Sequence, residues 1–489
     1  MADGARTGSA CSSLGLGVLL TGAFIAMMDT FIVNVAAPSI QADLRAGTAD
    51  TELVIAGYTL TYAVGLIAGG RLGDVYGRRR MFAVGLAGFT LASLACGLAA
   101  SAGELIAARL VQGAAAALLS PQVLAIIRTS FVDRRQRARA FGLMGAVQAL
   151  ASVFGQILGG AVTQADVLGL GWRPVFLINV PIGLAALLLV RRAVPESRAA
   201  VAEETDWGGM LFGGVALVVL LVPLIEGQQL GWPGWLVGML PVAVVVLAVF
   251  LAVQVRRARR GAAALLHAEL LASGAFTGGA VVVLLFSATM TPLYLGYTIL
   301  LQEGFGDSPL RAGLAFAPLA MAVAVSSFAA GRFIRRVGRR VVLAAGAVLH
   351  GVGGGVALGV SLAAPGALPN GLLPCMVVLG VAQGLFVTPS LNAVLDGVGE
   401  AHIGGASGIL TAMQRLGNAV GTAVLMLPFL AAYERARAGG AAPAKGYTEA
   451  FAALCGAVTL VSLLTAALLC RVPFGRAGAG WAGASSGDR

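Results

Sequence analysis

Charged side chains are scarce in this sequence, and their scarcity excludes a soluble protein. They make up 11% of the 489 residues, whereas soluble domains contain roughly 25%. Hydrophobic residues make up 58%, and the mean hydropathy is +0.89. Apolar segments of about 20 residues, each long enough to cross a bilayer, recur along the chain. The composition therefore indicates a polytopic helical membrane protein.

Catalytic and metal-binding motifs are also missing. The five cysteines and three histidines are scattered and show neither metal nor disulfide spacing. The sequence contains no phosphate-binding loop of the ATPase type and no nucleophile paired with a base. We therefore expect a protein that is not an enzyme and not an ATP-driven pump, and that needs no metal and no cofactor.

The hydropathy pattern predicts an all-α membrane protein with fourteen transmembrane helices. The predicted spans cover residues 14–37, 51–69, 81–100, 103–126, 138–163, 174–193, 207–226, 235–254, 274–299, 311–331, 341–362, 370–392, 405–431 and 448–470.

Arginine is concentrated in one of two alternating sets of loops. It is abundant in "RLGDVYGRRR", "RTSFVDRRQRARA", "RRAVPESRAA", "RRARR" and "GRFIRRVGRR", and sparse in the set of loops that alternates with these. The positive-inside rule places the arginine-rich loops in the cytoplasm, and the even number of spans then places both termini there. The same rule explains the net charge of +11 without nucleic-acid binding. Lys445 is the only lysine, and with the abundant alanine and glycine this is typical of a bacterial genome rich in G and C. We therefore expect the bacterial cytoplasmic membrane.

Two halves of the chain repeat each other. "GRLGDVYGRRR" at 70–80 aligns with "GRFIRRVGRRV" at 331–341, and "VQG" at 111–113 aligns with "AQG" at 382–384. A third set matches at an offset of 266 (408 − 142 = 266), pairing Gly142, Gln148 and Gly155 with Gly408, Gln414 and Gly421. Repeats in one order indicate two parallel six-helix bundles with a substrate cavity between them, which is a transporter architecture.

The repeat also predicts how the chain is divided. The first bundle with its cytoplasmic tail covers residues 1–199, and two inserted linker helices cover 200–262. The second bundle covers 263–472, and a cytoplasmic tail covers 473–489.

Asp29 and Arg109 are charged residues predicted to lie deep in the first bundle. Asp29 is nine residues (38 − 29 = 9) below the expected outer end of span 1 at Pro38, and Arg109 is six residues (109 − 103 = 6) into span 4. A rise of 1.5 Å per residue puts them at depths of roughly 13 and 9 Å. An arginine favours the charged carboxylate, whereas burial favours the neutral one. The pair is therefore either a proton-coupling site or a static salt bridge between two helices.

Other polar or soft side chains inside the spans are candidates for the substrate cavity. Gln148 and Gln414 are related by the repeat. Arg415 either lines the cavity or pairs across the halves, and His350 either carries protons or hydrogen-bonds a neighbouring helix. The predicted cavity residues are Met28, Asn34, Gln112, Gln148, His350, Gln414 and Arg415.

A cytoplasmic gating loop is predicted at residues 70–80. Gly70 and Gly77 allow the helices on either side to end and turn. Asp74 can accept hydrogen bonds from a helix N-terminus, and Arg78 and Arg79 can pair with acids or lipid phosphates. Such a loop either latches one conformation or only marks the cytoplasmic side.

These motifs resemble those of the major facilitator superfamily, in particular its fourteen-span drug:proton antiporter branch. "GRLGDVYGRRR" is similar to the family signature between spans 2 and 3, with Val75 where an arginine is usual. "MMDTFIVNVAAPSI" and "RLVQGAAAALLSP" resemble the first-span and fourth-span signatures, and "WRPVFLINVPIG" is typical of the branch. The fifth-span signature departs, since Gln156 stands where a proline is usual.

The resemblance implies export of drugs or other lipophilic compounds driven by proton entry. The expected partners are a lipophilic small molecule, protons and membrane lipids, without nucleic acid, and the expected state is a monomer. Proton-coupled uptake or facilitated transport of a small metabolite is the alternative. A receptor is disfavoured by the lack of a sizeable soluble domain, and a membrane enzyme by the lack of catalytic groups.

Overall fold

The computed structural model describes residues 12–131, 133–165, 169–198, 206–227, 230–260, 270, 272–363, 368, 370–399 and 402–472. Within these residues, fourteen helical segments are long and apolar enough to cross a membrane, which confirms the predicted number. They form two compact units. The first holds the described residues of Met1–Thr205 and Gly399–Gly408, and the second holds those of Asp206–Val398 and Ile409–Arg489.

The first unit contains the first six spans. Their helices are α1 (Ser13–Leu44), α2 (Thr48–Tyr76), α3 (Arg78–Leu98), α4 (Ala102–Ser130), α5 (Arg134–Ala165), α6 (Pro174–Leu177) and α7 (Asn179–Ala193). α6 and α7 together make the sixth span. Span 1 was expected to end near Pro38, but Pro38 lies inside α1, which continues to Leu44.

The second unit contains the inserted helices and the second repeat. Its helices are α8 (Trp207–Glu226), α9 (Gly234–Arg259), α10 (Gly274–Ile299), α11 (Pro309–Leu314), α12 (Ala317–Val337), α13 (Arg339–Ala363), α14 (Leu373–Leu395), α15 (Ile403–Ala438) and α16 (Pro443–Leu469). The first residues of α15, up to Gly408, belong to the first unit. The predicted borders at 199/200 and 262/263 and the tail at 473–489 lie outside the described residues.

The predicted loop at residues 70–80 is not a loop. α2 continues through Gly70 and Asp74 to Tyr76, and α3 begins at Arg78. Gly77 alone joins them, with φ of +103°, in the region that favours glycine. Gly338 joins α12 and α13 in the second repeat with φ of +90°. The glycine spacing therefore marks one sharp turn in each repeat, and the other repeated positions of the motif are helical.

The second arginine after each of these turns binds the end of the sixth helix of its own repeat. Arg79 donates to the carbonyls of Arg191 and Val194 at the end of α7, both at 3.4 Å. Arg340 donates to the carbonyls at the end of α16, including Leu469 at 3.1 Å. Guanidinium groups satisfy helix carbonyls that lack an intrahelical donor. The internal repeat therefore appears in the side-chain contacts as well as in the sequence.

The two "QG" motifs mark a second shared contact. At Gly113 of α4 an added Cβ would lie 2.4 Å from the carbonyl oxygen of Tyr58 in α2. At Gly384 of α14 it would lie 2.6 Å from the carbonyl oxygen of Val323 in α12. Small residues let membrane helices approach this closely. Each repeat thus packs its fourth helix against its second through a glycine, which fixes the position of the glutamine beside it.

Candidate functional site

The centre of the candidate site is the Asp29 carboxylate of α1. Its side chain is fully buried, and the Arg109 side chain of α4 is 1% exposed. The guanidinium Nη1 of Arg109 donates a hydrogen bond to Oδ2 of Asp29. The structure therefore brings together the two charges that the depth argument paired. Two charges this far from water need each other and further hydrogen bonds, because desolvation of either ion alone costs several kcal/mol (about 3–5 for breaking such a pair).

Arg109 is held by three further contacts. Its Nε donates to the carbonyl oxygen of Val54 at 3.0 Å, and its Nη1 donates to Oε1 of Gln112 at 2.7 Å. The guanidinium carbon lies 4.2 Å from the centre of the Tyr58 ring, a cation–π distance. These contacts fix the arginine whether or not it is paired with Asp29. Of the two groups, the Asp29 carboxylate is therefore the one whose charge can change.

The second carboxylate oxygen is bound by two amides. Oδ1 of Asp29 accepts from Nε2 of Gln112 at 3.0 Å and from Nδ2 of Asn179 at 3.3 Å. Both amides also donate to the hydroxyl of Ser93, at 2.8 Å from Gln112 and 3.5 Å from Asn179. Asp29, Ser93, Gln112 and Asn179 are all fully buried. The site is therefore a buried polar network that joins α1, α3, α4 and α7.

Sequence reasoning missed Ser93 and Asn179 as members of this network. Ser93 has no motif around it, so no signal pointed to it. Asn179 lies in "WRPVFLINVP", a stretch typical of the branch that the sequence resembles. It opens α7, just after the interruption at Ile178 that divides the sixth span. Pro181 explains the interruption, since it has no N–H to donate to the Leu177 carbonyl four residues earlier.

A second polar cluster lies around Asp74, near the end of α2. Its Oδ1 accepts from the backbone N–H of Gly404 at 3.0 Å, and its Oδ2 accepts from that of Gly405 at 2.8 Å. These are free donors of the first turn of α15, where the helix dipole favours a negative charge. Arg78 donates to Oδ1 of the same carboxylate at 2.7 Å. Asp74 therefore caps a helix N-terminus, as predicted, with an arginine balancing its charge.

Close backbone contact accompanies this cap. An added Cβ at Gly70 would lie 2.2 Å from the carbonyl oxygen of Gly404, and one at Gly404 would lie 2.5 Å from Oδ1 of Asp74. Arg79 pairs instead with Glu196, whose Oε2 lies 3.5 Å from its Nε. Of the five predicted gating residues, Asp74 and Gly70 contact the start of α15, and Arg78 pairs with Asp74. Gly77 forms the turn after α2, and Arg79 binds the end of α7.

Comparison with known proteins decides the family. The family model described as Major Facilitator Superfamily matches residues 19–422 and again residues 277–484. This chain belongs to the major facilitator superfamily. It is therefore a multi-pass membrane transporter and not an enzyme.

Three relatives show which members of this superfamily the chain is similar to. It is 38% identical to the "probable actinorhodin transporter" of Streptomyces coelicolor, over 84% of this chain and 71% of that protein. It is 36% identical to the "cephamycin export protein CmcT" of Amycolatopsis lactamdurans, over 86% and 85%. It is 33% identical to the "puromycin resistance protein pur8" of Streptomyces alboniger, over 93% and 91%.

Solved structures show the same fold. The human organic anion transporter MFSD10 matches with a TM-score of 0.62 and 16% identity, over 93% of this chain and 97% of that one. The proton:xylose symporter XylE matches with a TM-score of 0.62 and 15% identity, over 94% and 95%. At such identities the likeness concerns the superfamily fold alone.

The predicted cavity residues of the first unit lie in different surroundings. Met28 is 1% exposed. Gln112 is fully buried and donates to Asp29, so it belongs to the Asp29 network. Gln148 of α5 is half-buried. Asn34 lies in α1, and its side chain is outside the described part of the structure.

The predicted cavity residues of the second unit also lie in different surroundings. His350 of α13 is fully buried, with Nδ1 3.1 Å from the Ser462 hydroxyl and its ring 4.9 Å from that of Phe286. Gln414 and Arg415 of α15 are half-buried. Their assignment to a substrate cavity stays a prediction. Among the described residues, no group of three histidine, cysteine, aspartate or glutamate side chains could hold a metal ion.

Proposed function

We propose that this transporter exports an antibiotic-like, lipophilic small molecule across the bacterial cytoplasmic membrane in exchange for protons. The names of its relatives support the direction and the substrate class, because they denote export of, or resistance to, antibiotics. Alternating access is the mechanism of the superfamily fold. What the chain itself must supply is a group that links proton binding to that movement.

The observation that carries the proposal is the buried Asp29 carboxylate. Its negative charge holds donors from Arg109 of α4, Gln112 of α4 and Asn179 of α7. Protonation removes the charge that attracts all three donors, so the contacts of α1 with α4 and α7 weaken together. Charge-assisted hydrogen bonds are about twice as strong as neutral ones, which makes this change large enough to bias a helix movement. Intramembrane carboxylates in transporters commonly mark proton relays.

The Asp74 cluster fits a conformational role in the same cycle. Its two hydrogen bonds to Gly404 and Gly405 and its ion pair with Arg78 hold the start of α15 against α2. We infer that this contact forms in one state of the transporter and breaks in another. Tight backbone contact at Gly70 would then act as a stop for the closed position.

The test is efflux in everted membrane vesicles from a bacterial host lacking its own exporters. Uptake of puromycin and of ethidium is measured after acidifying the lumen, with Asp29→Asn beside the unchanged protein. Asp43→Asn is the matched control, since Asp43 lies on the same helix and its side chain is 48% exposed. We expect Asp29→Asn to lose gradient-driven uptake and Asp43→Asn to keep it.

Two results would contradict the proposal. Normal gradient-driven transport by Asp29→Asn would remove Asp29 from coupling. Accumulation in right-side-out vesicles on external acidification, with none in everted vesicles, would establish uptake, the alternative direction.

A further inference from the structure

We propose that Asn179 is the positioning residue that lets the buried network exist with Asp29 either charged or neutral. The inference rests on the proposed function, because it concerns how the coupling carboxylate exchanges its proton. Its basis is a hydrogen-bond accounting of the first unit. Buried polar groups almost always have partners, so an atom without one needs an explanation.

In the charged state both oxygens of the Asp29 carboxylate have donors. Asp29 accepts from Arg109, Gln112 and Asn179, and a carboxylate can only accept. Of the amide side chains around it, Gln112 uses both ends, since its Oε1 accepts from Arg109 while its Nε2 donates. Asn179 uses only one end. Its Nδ2 donates, and its Oδ1 is buried without a hydrogen-bond partner.

The neutral state reverses one role. A protonated carboxyl group gains an O–H donor and needs an acceptor within the same buried network. Oε1 of Gln112 is already bound by Arg109 at 2.7 Å and lies 3.6 Å from the thiol of Cys96. The Ser93 oxygen already receives both amides. Among the described atoms of the network, Oδ1 of Asn179 is the acceptor without a partner.

Rotation of one amide brings that acceptor into place. The terminal torsion of asparagine is soft and roughly two-fold, so a half-turn exchanges Oδ1 and Nδ2 with little movement of other atoms. The oxygen would then occupy the position now held by Nδ2, which is 3.3 Å from Oδ1 of Asp29 and 3.5 Å from the Ser93 hydroxyl. Asn179 would accept the carboxyl proton there. A side chain that only donates or only accepts would satisfy one state and penalise the other.

The surroundings of Asn179 leave few other groups for this role. Among the described residues, the titratable or charged side chains at the network are Arg109 from α4, which contacts Asp29, Tyr58 from α2, which contacts Arg109, and Cys96 from α3, which contacts Gln112. Tyr58 directs its hydroxyl to the carbonyl oxygen of Ala26 at 2.9 Å, and Arg109 has no acceptor atom.

Loss of Asn179 should therefore penalise the neutral carboxyl more than the charged one. The charged form would lose only the longest of its three hydrogen bonds, at 3.3 Å, and would keep the donors Arg109 and Gln112. The neutral form would lose its acceptor. Asp29 would then take up its proton at lower pH. An unmet hydrogen bond in a buried site corresponds to a shift of about one pH unit.

The test is an infrared difference titration of the purified full-length transporter in lipid nanodiscs, which needs no substrate. The protonated carboxyl band that is absent from Asp29→Asn reports Asp29. The matched pair is Asn179→Thr and Asn179→Val, which have the same shape, but only threonine can donate and accept. We expect Asn179→Val to shift the titration midpoint about one unit toward acid, and Asn179→Thr to restore it.

Equal midpoints in the valine and threonine variants, or a valine midpoint equal to that of the unchanged protein, would overturn the inference. If the valine variant does not fold, the unchanged protein decides. With isotope-labelled asparagine, an amide band should shift at the midpoint of Asp29 and vanish in Asp29→Asn, and a constant amide band overturns the inference. Absence of any Asp29 titration would instead refute the coupling role, which separates the two failures.

Discussion

In the first unit Gln112 of α4 donates to Asp29 of α1, and in the second unit Tyr294 of α10 donates to Gln383 of α14 at 2.5 Å. The glutamines are related by the repeat (383 − 112 = 271), and their partners lie on the first helix of each repeat. One partner is a carboxylate and the other a phenol. The same helix contact is therefore charged in one repeat and neutral in the other.

The position of Arg109 shows why the second repeat has no matching cation. The same offset leads to Gly380 (109 + 271 = 380). Arg109 donates to the carbonyl oxygen of Val54, whereas a Cβ at Gly380 would lie 2.3 Å from the carbonyl oxygen of Leu319. The second pair of helices approaches too closely for any side chain at this position. At this position the second repeat therefore packs directly against a backbone, whereas the first repeat has an arginine side chain.

The turns after the second helix of each repeat, α2 and α12, also differ in their charged residues. Arg78 pairs with Asp74 on its own helix boundary, and both are buried. In the second repeat the corresponding acid position is Arg335 (74 + 261 = 335), and Arg339 pairs instead with Asp396 at the end of α14. The comparison teaches that the fold requires the glycine turns and the close helix contacts. The carboxylates of the first unit go beyond that requirement, which is why we assign them to transport.

The largest effect is expected from removing the cation of the first unit. Arg109→Met leaves a buried carboxylate without its ion partner, which costs about 3–5 kcal/mol when a buried pair is broken. We expect a strong loss of folded protein by detergent size-exclusion and a lower midpoint of thermal unfolding.

The matched control is the double variant Asp29→Leu with Arg109→Met, which removes both charges. It should recover most of the unfolding midpoint, because apolar replacement of a buried pair is often neutral. Gradient-driven transport should stay absent. Equal stability of the single variant and the unchanged protein would show that the network is not a buried ion pair in the membrane.

The next effect comes from the glycine that replaces Arg109 in the second repeat. Gly380→Ala forces a methyl group against the Leu319 carbonyl, and overpacking of this kind costs about 1–3 kcal/mol. Gly359→Ala in α13 is the control, since a Cβ there meets no atom within 4 Å. Unfolding midpoints of both variants are compared, and equal midpoints would contradict the packing argument.

A smaller effect is expected from the neutral pair. Tyr294→Phe removes the hydrogen bond to Gln383, and such bonds inside membranes are worth about 0.6 kcal/mol on average. The pH dependence of transport in vesicles should not change, in contrast to variants of Asp29. A shifted pH profile would show that the second repeat also takes part in coupling.

The smallest effect is expected at the exposed ion pair of the first unit. Hydrogen bonds from Arg173 and then Trp172 hold the pKa of Asp43 below its ordinary value of 3.8. A lowered pKa means that the stabilisation is present above pH 3.8 and is lost as the pH falls through the lower folded value. Asp43→Asn should therefore reduce stability at neutral pH by less than about 1 kcal/mol, as for exposed pairs. Thermal unfolding at neutral pH and near pH 3 checks this, and a larger loss at acid pH than at neutral pH would contradict it.

Much of the first unit's site could be predicted from the sequence. Asp29 and Arg109 stand out because charges are rare inside spans, and helix rise alone put them at one depth. The repeat aligned Gly77 with Gly338, and the motif at residues 70–80 offered Asp74 as an acceptor for a helix N-terminus. These inferences need only hydropathy, spacing and the geometry of a helix.

Other features could not be read from spacing. Spacing did not reveal that the position of Gln112 around α4 directs it to Asp29, and its assignment to the substrate cavity stays a prediction. The motif at residues 70–80 was expected to form a loop, but its first seven residues, 70–76, complete α2 up to Tyr76. Glycine and aspartate are compatible with a helix whose partners satisfy them, and those partners, at Gly404 and Gly405, are far away in the chain.

The sequence by itself determined the fourteen spans, the internal repeat and a buried acid near an arginine, because these follow from the apolar length of each segment and the cost of burying charge. Only the tertiary structure decided which amides complete the network around Asp29, that Asn179 keeps a free acceptor there, and that Gly380 leaves no room for a second arginine. Such features depend on helix rotation and on distances between helices, which are set when the side chains of the whole unit pack together.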